Sequence, residues 1–343
     1  MSKKSGAGRI INVVLRYKVY LILILICIVA AAASPYFLKS SNILNVIRQI
    51  SMNGIIAIGF TFVLAEGSID LSVGSMVGLI GVLTAMIGKS GLPIPFVTLV
   101  LIAVAIGAGL GFINGFIVST LRVPSFIATL ATQIAMRGVI YVITGNQHVT
   151  RLPAELEFFG QGYIGVIPFP VIILLVVTVI GYFVLKKTQF GRHVIAVGAN
   201  RDAAHYCGIS VKRTEYGVFI FMGVCAGIAA LILTGRSGAA QTGAGVNMEM
   251  DSIAAVVMGG TPMTGGYGNI AGSIGGSLII GVISNVLNLT KVDSNWQYIV
   301  KGLLIVIAVL LDVQSTRIQN KIADRSARDR KKEGVSETKM KDT

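Results

Sequence analysis

The chain has 343 residues, of which 54% are hydrophobic and only 13% are charged, and its mean hydropathy is +0.78. Long apolar segments recur from Val19 to Leu311, which excludes an ordinary soluble protein and indicates an integral membrane protein. The formal net charge of +14 is concentrated at the chain ends and in one loop, so it indicates membrane topology and we expect no nucleic-acid partner.

The apolar segments predict an all-α polytopic membrane protein with about ten transmembrane helices in one bundle, since each crosses or nearly crosses a hydrocarbon layer of about 30 Å. The segments lie at 19–34, 43–65, 71–88, 94–119, 124–144, 165–185, 213–234, 250–262, 268–289 and 295–312, the eighth being short. We therefore predict an N-terminal segment 1–18, a transmembrane domain 19–312 and a charged tail 313–343.

The distribution of basic residues predicts the orientation of the bundle. If the N-terminus is inside, 21 of the 29 Lys and Arg residues fall in interior regions and six fall on the exterior side. Cytoplasmic loops carry such an excess of Lys and Arg. Both termini are therefore expected in the cytoplasm.

Two connections are longer than a turn between helices requires. The exterior one, Gly145–Gly165, contains polar and aromatic residues, and the interior one, 186–213, contains alternating small and polar residues. We predict a short helix near Asp202–Cys207 within the interior loop.

Glycines four residues apart predict close packing between helices rather than a substrate site. These are Gly107, Gly111 and Gly115, and Gly268, Gly272 and Gly276.

Motifs for chemistry within the chain are scarce. The sequence GKS at Gly88–Ser90 lacks the earlier glycine of a nucleotide-binding loop, because position 83 is Leu83, so the chain is not its own ATPase. Its three cysteines and three histidines have no metal-ligand spacing. We predict no catalytic residue, no metal site and no bound cofactor.

Polar residues inside the apolar segments either line a pathway for a hydrated solute or bond neighbouring helices. The candidates for the pathway are Asn53, Glu66, Asn114, Gln133, Asn285 and Asn288. Ionisable residues deep in the spans are nearly absent, apart from Arg137 and Lys301, which argues against proton-coupled transport.

Asp70 and Asp251 precede apolar segments and are interpreted as helix caps, and Glu66 and Asp70 are not interpreted as an acid–base pair. Asp70 in GSIDLS is expected at the start of the third span, where a carboxylate binds free N–H groups, and Glu66 is placed near an inner gate. Asp251 has a similar position before the eighth span, which raises the hypothesis of a duplicated half-bundle.

The interior loop GRHVIAVGANRDAAHYCGISV resembles the cytoplasmic loop of permease subunits in ribose-type ABC sugar importers of the bacterial inner membrane. The strings GSIDLSVGSMVGL, VPSFIATLAT and WQYIVKGLLIVIAVLLD extend this resemblance over most of the chain. It implies a loop that couples the permease to an ATPase, through Gly198, Asn200, Asp202, Ala203, Ala204 and Gly208. In such a loop, Ala204 is expected to face the partner and Gly208 to allow a sharp turn.

The resemblance also implies partners and a function. The expected partners are a second permease copy or a paralogue, cytoplasmic ATPase subunits holding ATP and Mg, an exterior sugar-binding protein that is periplasmic or lipid-anchored, and membrane lipids. The expected function is ATP-driven import of a monosaccharide or related polyol. A stand-alone secondary sugar carrier is the alternative.

Overall fold

The computed structural model describes residues 6–90, 94–293, 295–303, 306 and 310, so the predicted tail at 313–343 and residues 1–5 lie outside the described residues. The described chain is mostly helical, and the prediction of a helical membrane protein is confirmed. The helices are α1 (Gly6–Ala33), α2 (Ser40–Glu66), α3 (Val73–Gly88), α4 (Phe96–Ser119), α5 (Ser125–Thr144), α6 (Ala154–Gln161), α7 (Phe169–Lys187), α8 (Gln189–Ala199), α9 (Arg201–Tyr206), α10 (Val211–Ser237), α11 (Met248–Met258) and α12 (Ile270–Leu289). Residues 295–303 are also helical.

Six of these helices, α2, α4, α5, α7, α10 and α12, are long and apolar enough to cross a membrane. The apolar part of α1, Val19–Ala33, and α3 are shorter. Each predicted segment contains helical residues, including 295–303 in the last one. The number of ten spans and the internal duplication both remain predictions.

Two helices, α2 and α10, form the centre of the bundle. In the most apolar part of each, 78% of α2 and 67% of α10 are buried, against 22% of α4 and of α5. Every residue from Ile50 to Glu66 in α2 is buried, as expected for a helix that is apolar on all sides. Around it pack α7, α8, α10, α11 and α12.

Glycines allow the backbones of neighbouring helices to touch. On α4, a Cβ added at Gly107 would overlap the carbonyl oxygen of Gly223 in α10, and one at Gly111 would overlap that of Phe219. Gly272 has the same relation to the carbonyl oxygen of Gly259, next to α11. The predicted packing role of the glycine series is confirmed at these positions.

The two ends of the bundle differ in structure. At one end, the strand Val149–Thr150 (β1) pairs with Ala239–Ala240 (β4), and Tyr163–Ile164 (β2) pairs with Ile167–Pro168 (β3). We call this the hairpin end. At the opposite end lie α8, α9 and the turn that joins α2 to α3; we call this the α9 end.

The contact between α4 and α10 leads to a first prediction. Gly107→Ala is expected to lower the free energy of unfolding by about 1–3 kcal/mol, because the new methyl group must separate two backbones. Gly109→Ala is the control, since among the described residues no atom outside the adjacent backbone of its own helix lies within 4 Å of a Cβ added there. Thermal unfolding of the purified protein in detergent measures both. Equal stability of the two variants would contradict this account of the packing.

Candidate functional site

The predicted short helix of the interior loop is present as α9, Arg201–Tyr206. Asn200 is its N-cap, and the Asn200 side-chain oxygen accepts a hydrogen bond from the backbone N–H of Ala203 at 2.9 Å. Just beyond the helix, Gly208 has φ of +81°, a conformation that favours glycine. The loop is therefore an ordered helix with defined ends.

Three backbone segments meet where α8 ends. A Cβ added at Gly198 would overlap the carbonyl oxygen of Ala65 in α2, so only glycine fits there. The same Ala65 oxygen accepts a hydrogen bond from the backbone N–H of Gly266 at 2.9 Å. Gly67, with φ of +89°, ends α2 at this point. The loop containing α9 thus rests directly on the end of the central helix.

An ion pair joins α9 to the core. Arg201, the first residue of α9, contacts the carboxylate of Glu215 in α10. Glu215 is 1% exposed, whereas the Arg201 side chain is 57% exposed, so the pair extends from the core to the surface. Glu66 at the end of α2 is close enough to interact electrostatically with both residues, and its Oε2 atom is buried without a hydrogen-bond partner among the described residues.

A cavity of about 920 Å³ opens beside α9. Its lining includes Ser68, Arg122, Arg201, Asp202 and His205. Turns of the chain that are distant in sequence, after α2, after α4 and around α9, therefore surround one space. Of the residues singled out from the sequence, Asp202 and Gly208 line this cavity, and Glu66 directly precedes the lining residue Gly67.

The side chain of Ala204 does not have the predicted position. Ala204 is 4% exposed and faces its own chain, because α9 packs on α8 and α10. The expectation that it faces the partner is therefore wrong. The exposed residues of α9 are instead Arg201, Asp202, Ala203 and His205, together with Tyr206, which is 88% exposed.

Asp70 organises the turn into α3, although it is not the N-cap. The N-cap is Ser72, and Asp70 Oδ1 accepts hydrogen bonds from its backbone N–H at 2.8 Å and its hydroxyl at 2.6 Å. Asn114 in α4 donates to the Ser72 hydroxyl at 2.8 Å and accepts from Thr132 in α5 at 2.8 Å. Asp70 and Asn114 therefore tie three helices together at the α9 end.

Asp251 is not a helix cap. The N-cap of α11 is Asn247, and Asp251 lies in the first turn, where its Oδ2 atom accepts a hydrogen bond from Lys301 Nζ at 2.6 Å. This ion pair holds α11 to the helical residues 295–303 and explains why a lysine lies inside the last apolar segment.

The residues predicted to line a pathway do not converge on one site. Asn285 exchanges two hydrogen bonds with Asn42, and Asn288 accepts one from Gln297, so both join neighbouring helices. Asn53 is buried in α2. Gln133 is different, because it donates to Glu249 Oε1 at 3.3 Å at the edge of a second cavity. Within the described residues, no group of three His, Cys, Asp or Glu side chains is placed to hold a metal ion.

Comparison with known proteins identifies the family. Residues 42–309 match the family model described as branched-chain amino acid transport system / permease component. The chain belongs to this permease family. It is 39% identical over 316 residues to the ribose import permease protein RbsC of Haemophilus influenzae, covering 91% of this chain and 97% of that protein. It is 35% identical to the xylose transport system permease protein XylH of the same organism (88% and 97% covered). It is 39% identical to the D-allose transport system permease protein AlsC of Escherichia coli (87% and 91% covered). No solved structure matches the chain.

The permease is thus of the ribose/xylose/allose type found in ABC sugar importers. The predicted resemblance to ribose-type importers is confirmed. It is a transport subunit and not an enzyme. It is also a multi-pass membrane protein. ATPase and sugar-binding partners follow in general from membership of an ABC importer.

The ion pair between α9 and α10 gives a second prediction. Arg201→Ala leaves the Glu215 carboxylate buried without its partner, so we expect the free energy of unfolding to fall by about 1–3 kcal/mol. Adding Glu215→Gln removes the buried charge and is expected to restore part of this loss. Thermal unfolding of the permease and its two variants tests this. Independent, additive effects of the two substitutions would show that the pair does not contribute as described.

Proposed function

We propose that this permease imports a monosaccharide or related polyol across the bacterial inner membrane, with ATP hydrolysed on partner subunits. The sugar permeases to which it is similar cover nearly its whole length, which supports this substrate class. The observation that carries the mechanism is that α9 packs on α8, and α8 contacts the central helix α2 through Gly198 and Ala65. In this proposal the α9 end faces the cytoplasm, in agreement with the 21 basic residues assigned to the interior.

The α9 loop is proposed as the site that receives force from the ATPase. Asp202, Ala203 and Tyr206 are exposed for contact with a partner, and Asn200 and Gly208 define the ends of the helix. Closure of two ATPase subunits, which hold the ATP and Mg, pushes on α9. Because Gly198 touches Ala65, the push reaches α2 without passing through flexible side chains.

A second permease copy or paralogue is proposed to complete the membrane domain. The second cavity contains Arg137 and Glu249 and opens on a face of α5 where Ile134 is 67% exposed. A charged site facing lipid is costly, and a second copy would cover it. The mass of the purified complex, with the detergent contribution subtracted, tests whether two permeases are present.

The overall function is tested by reconstitution into vesicles, which gives the third prediction. We expect uptake of ribose, xylose or allose only when the permease, its ATPase, ATP and the sugar-binding protein are all present. The permease alone is the control, because a stand-alone carrier needs no partner. Concentrative uptake by the permease alone would favour the secondary carrier and reject the ABC mechanism.

The role of α9 is tested by its most exposed side chain. Tyr206→Ala is expected to weaken binding of the ATPase about tenfold or more, since interface tyrosines contribute heavily to affinity, and to leave the thermal stability of the isolated permease unchanged. Tyr182→Ala in α7, which removes a half-exposed tyrosine away from α9, is the matched control. Pull-down with the ATPase and sugar-stimulated ATP hydrolysis measure both effects. The same ATPase affinity in both variants would place the coupling surface elsewhere.

A further inference from the structure

A second cavity, of about 450 Å³, lies halfway along α5. Gln133 and Arg137 line it, about 12 and 18 Å from the start of a helix about 30 Å long at 1.5 Å per residue. The other walls include Ser75 of α3, Asn247 and Glu249 at the start of α11, and Tyr141. The cavity is therefore near the middle of the membrane, where polar groups are costly unless they serve a function.

The backbone between β4 and α11 builds one wall of this cavity. This segment, residues 241–247, runs inward from the hairpin end and consists of turns rather than a helix. It can approach α3 closely because Gly245 packs on Gly74, with no room for a Cβ on either. Arg137 Nη1 donates to the carbonyl oxygens of Thr242 at 2.8 Å and Ala244 at 2.9 Å, which satisfies this irregular backbone inside the bundle.

Several polar groups of the cavity have no partner within the described residues. Glu249 is 3% exposed and Ser75 is 1% exposed, yet Glu249 Oε2 and Ser75 Oγ form no hydrogen bond there. An unsatisfied buried carboxylate oxygen or hydroxyl is expensive, so natural proteins rarely keep one without a ligand or water. Arg137 donates both of these backbone hydrogen bonds from Nη1. Its guanidinium has further N–H donors that a ligand oxygen can accept.

We propose that this cavity binds the hydroxyl groups of the transported polyol at mid-membrane depth, an inference that rests on the proposed function. Glu249 Oε2 accepts a hydrogen bond from one hydroxyl, Ser75 bonds another, and Arg137 donates to a ligand oxygen. The side chains of Glu249 and Arg137 carry opposite charges, so the site has no net charge and suits a neutral ligand. Tyr141 offers an aromatic face to the C–H side of a sugar ring.

The site cannot be tight, because a transport site must release its ligand. The three hydrogen bonds to Glu249, Ser75 and Arg137 replace part of those that the sugar gives up when it leaves its binding protein. This gives the permease its own selectivity for hydroxyl groups, in addition to that of the binding protein.

The experiment uses the complete importer in vesicles, with the binding protein saturated with ribose, xylose or allose, whichever the unmodified importer takes up. Glu249→Gln keeps the shape of the side chain, and Ser75→Ala removes one hydroxyl. The matched control for the latter is Ser277→Ala, because the Ser277 hydroxyl is buried and donates to Ser273 O in its own helix. Uptake of the sugar and of its monodeoxy derivatives is measured for each variant.

We expect uptake of the sugar to fall about tenfold in Glu249→Gln, as for loss of a hydrogen bond to a charged group. We also expect Ser75→Ala to lose its preference for the sugar over one monodeoxy derivative, whereas Ser277→Ala keeps that preference. Every variant is measured with the same binding protein. A difference between variants in the ratio of sugar uptake to monodeoxy-sugar uptake therefore comes from the permease. A purely structural role would lower uptake of all sugars equally.

Three results would overturn the proposal in different ways. Unchanged uptake and unchanged preference in both cavity variants would reject the site while leaving sugar import intact. If the importer took up leucine and Glu249→Gln abolished that uptake, the ligand of the cavity would be a zwitterion, bound by the opposite charges of Glu249 and Arg137, instead of a polyol. Failure of the unmodified importer to take up any of the three sugars would reject the proposed function itself.

Discussion

At the α9 end, the chain can bring α8 against α2 only because Gly198 has no side chain, and the arrangement of the loops at this end depends on that contact. The Ala65 carbonyl oxygen lies against Gly198 and also accepts the Gly266 N–H, so the end of α2, the end of α8 and the turn before α12 meet at a single point. Backbone contacts of this kind are stiff, because no rotamer can absorb a displacement. A movement of α8, and of α9 packed on it, must therefore move the central helix α2.

The polar side chains inside the bundle fall into two groups with different roles. Some bond to other helices, as Asn114 does to Ser72 and Thr132, and as Asn285 does to Asn42. Such hydrogen bonds fix which helices are neighbours where lipid provides little hydrophobic driving force between them. Others keep a buried atom without a hydrogen-bond partner in the described part of the chain, among them Glu66, Asp70, Ser75, Glu215, Glu249 and Ser252. Glu249 and Ser75 differ from the rest of this second group because they also line the mid-membrane cavity.

Local signals in the sequence were sufficient for the helices of the apolar segments and for α9, whereas α6 and α8 lie in segments that were predicted only as connections. Asn200 and Gly208 are the start and stop residues expected of a short helix, and the glycines of α4 contact α10 as their spacing predicts. The direction of Ala204 and the partner of Asp251 could not be predicted, because both depend on residues far away in the sequence. Asp251 contacts Lys301 only in the folded bundle, so no residue near Asp251 in the sequence contradicted its interpretation as a cap.

The mid-membrane cavity escaped prediction for a related reason. Residues 241–247 have neither an apolar run nor a strand pattern, so no local sign in the sequence showed that they turn into the bundle. Arg137 and Glu249, far apart in the sequence, were therefore not expected to line the same cavity. In the folded chain, α3 begins at the α9 end and its first turn reaches the cavity. Its N-cap, Ser72, binds Asp70 and Asn114, while Gly74 and Ser75, within the next turn, touch Gly245 and line the cavity. A shift of the turn after α2, which abuts Gly198, must therefore alter the walls around the proposed ligand.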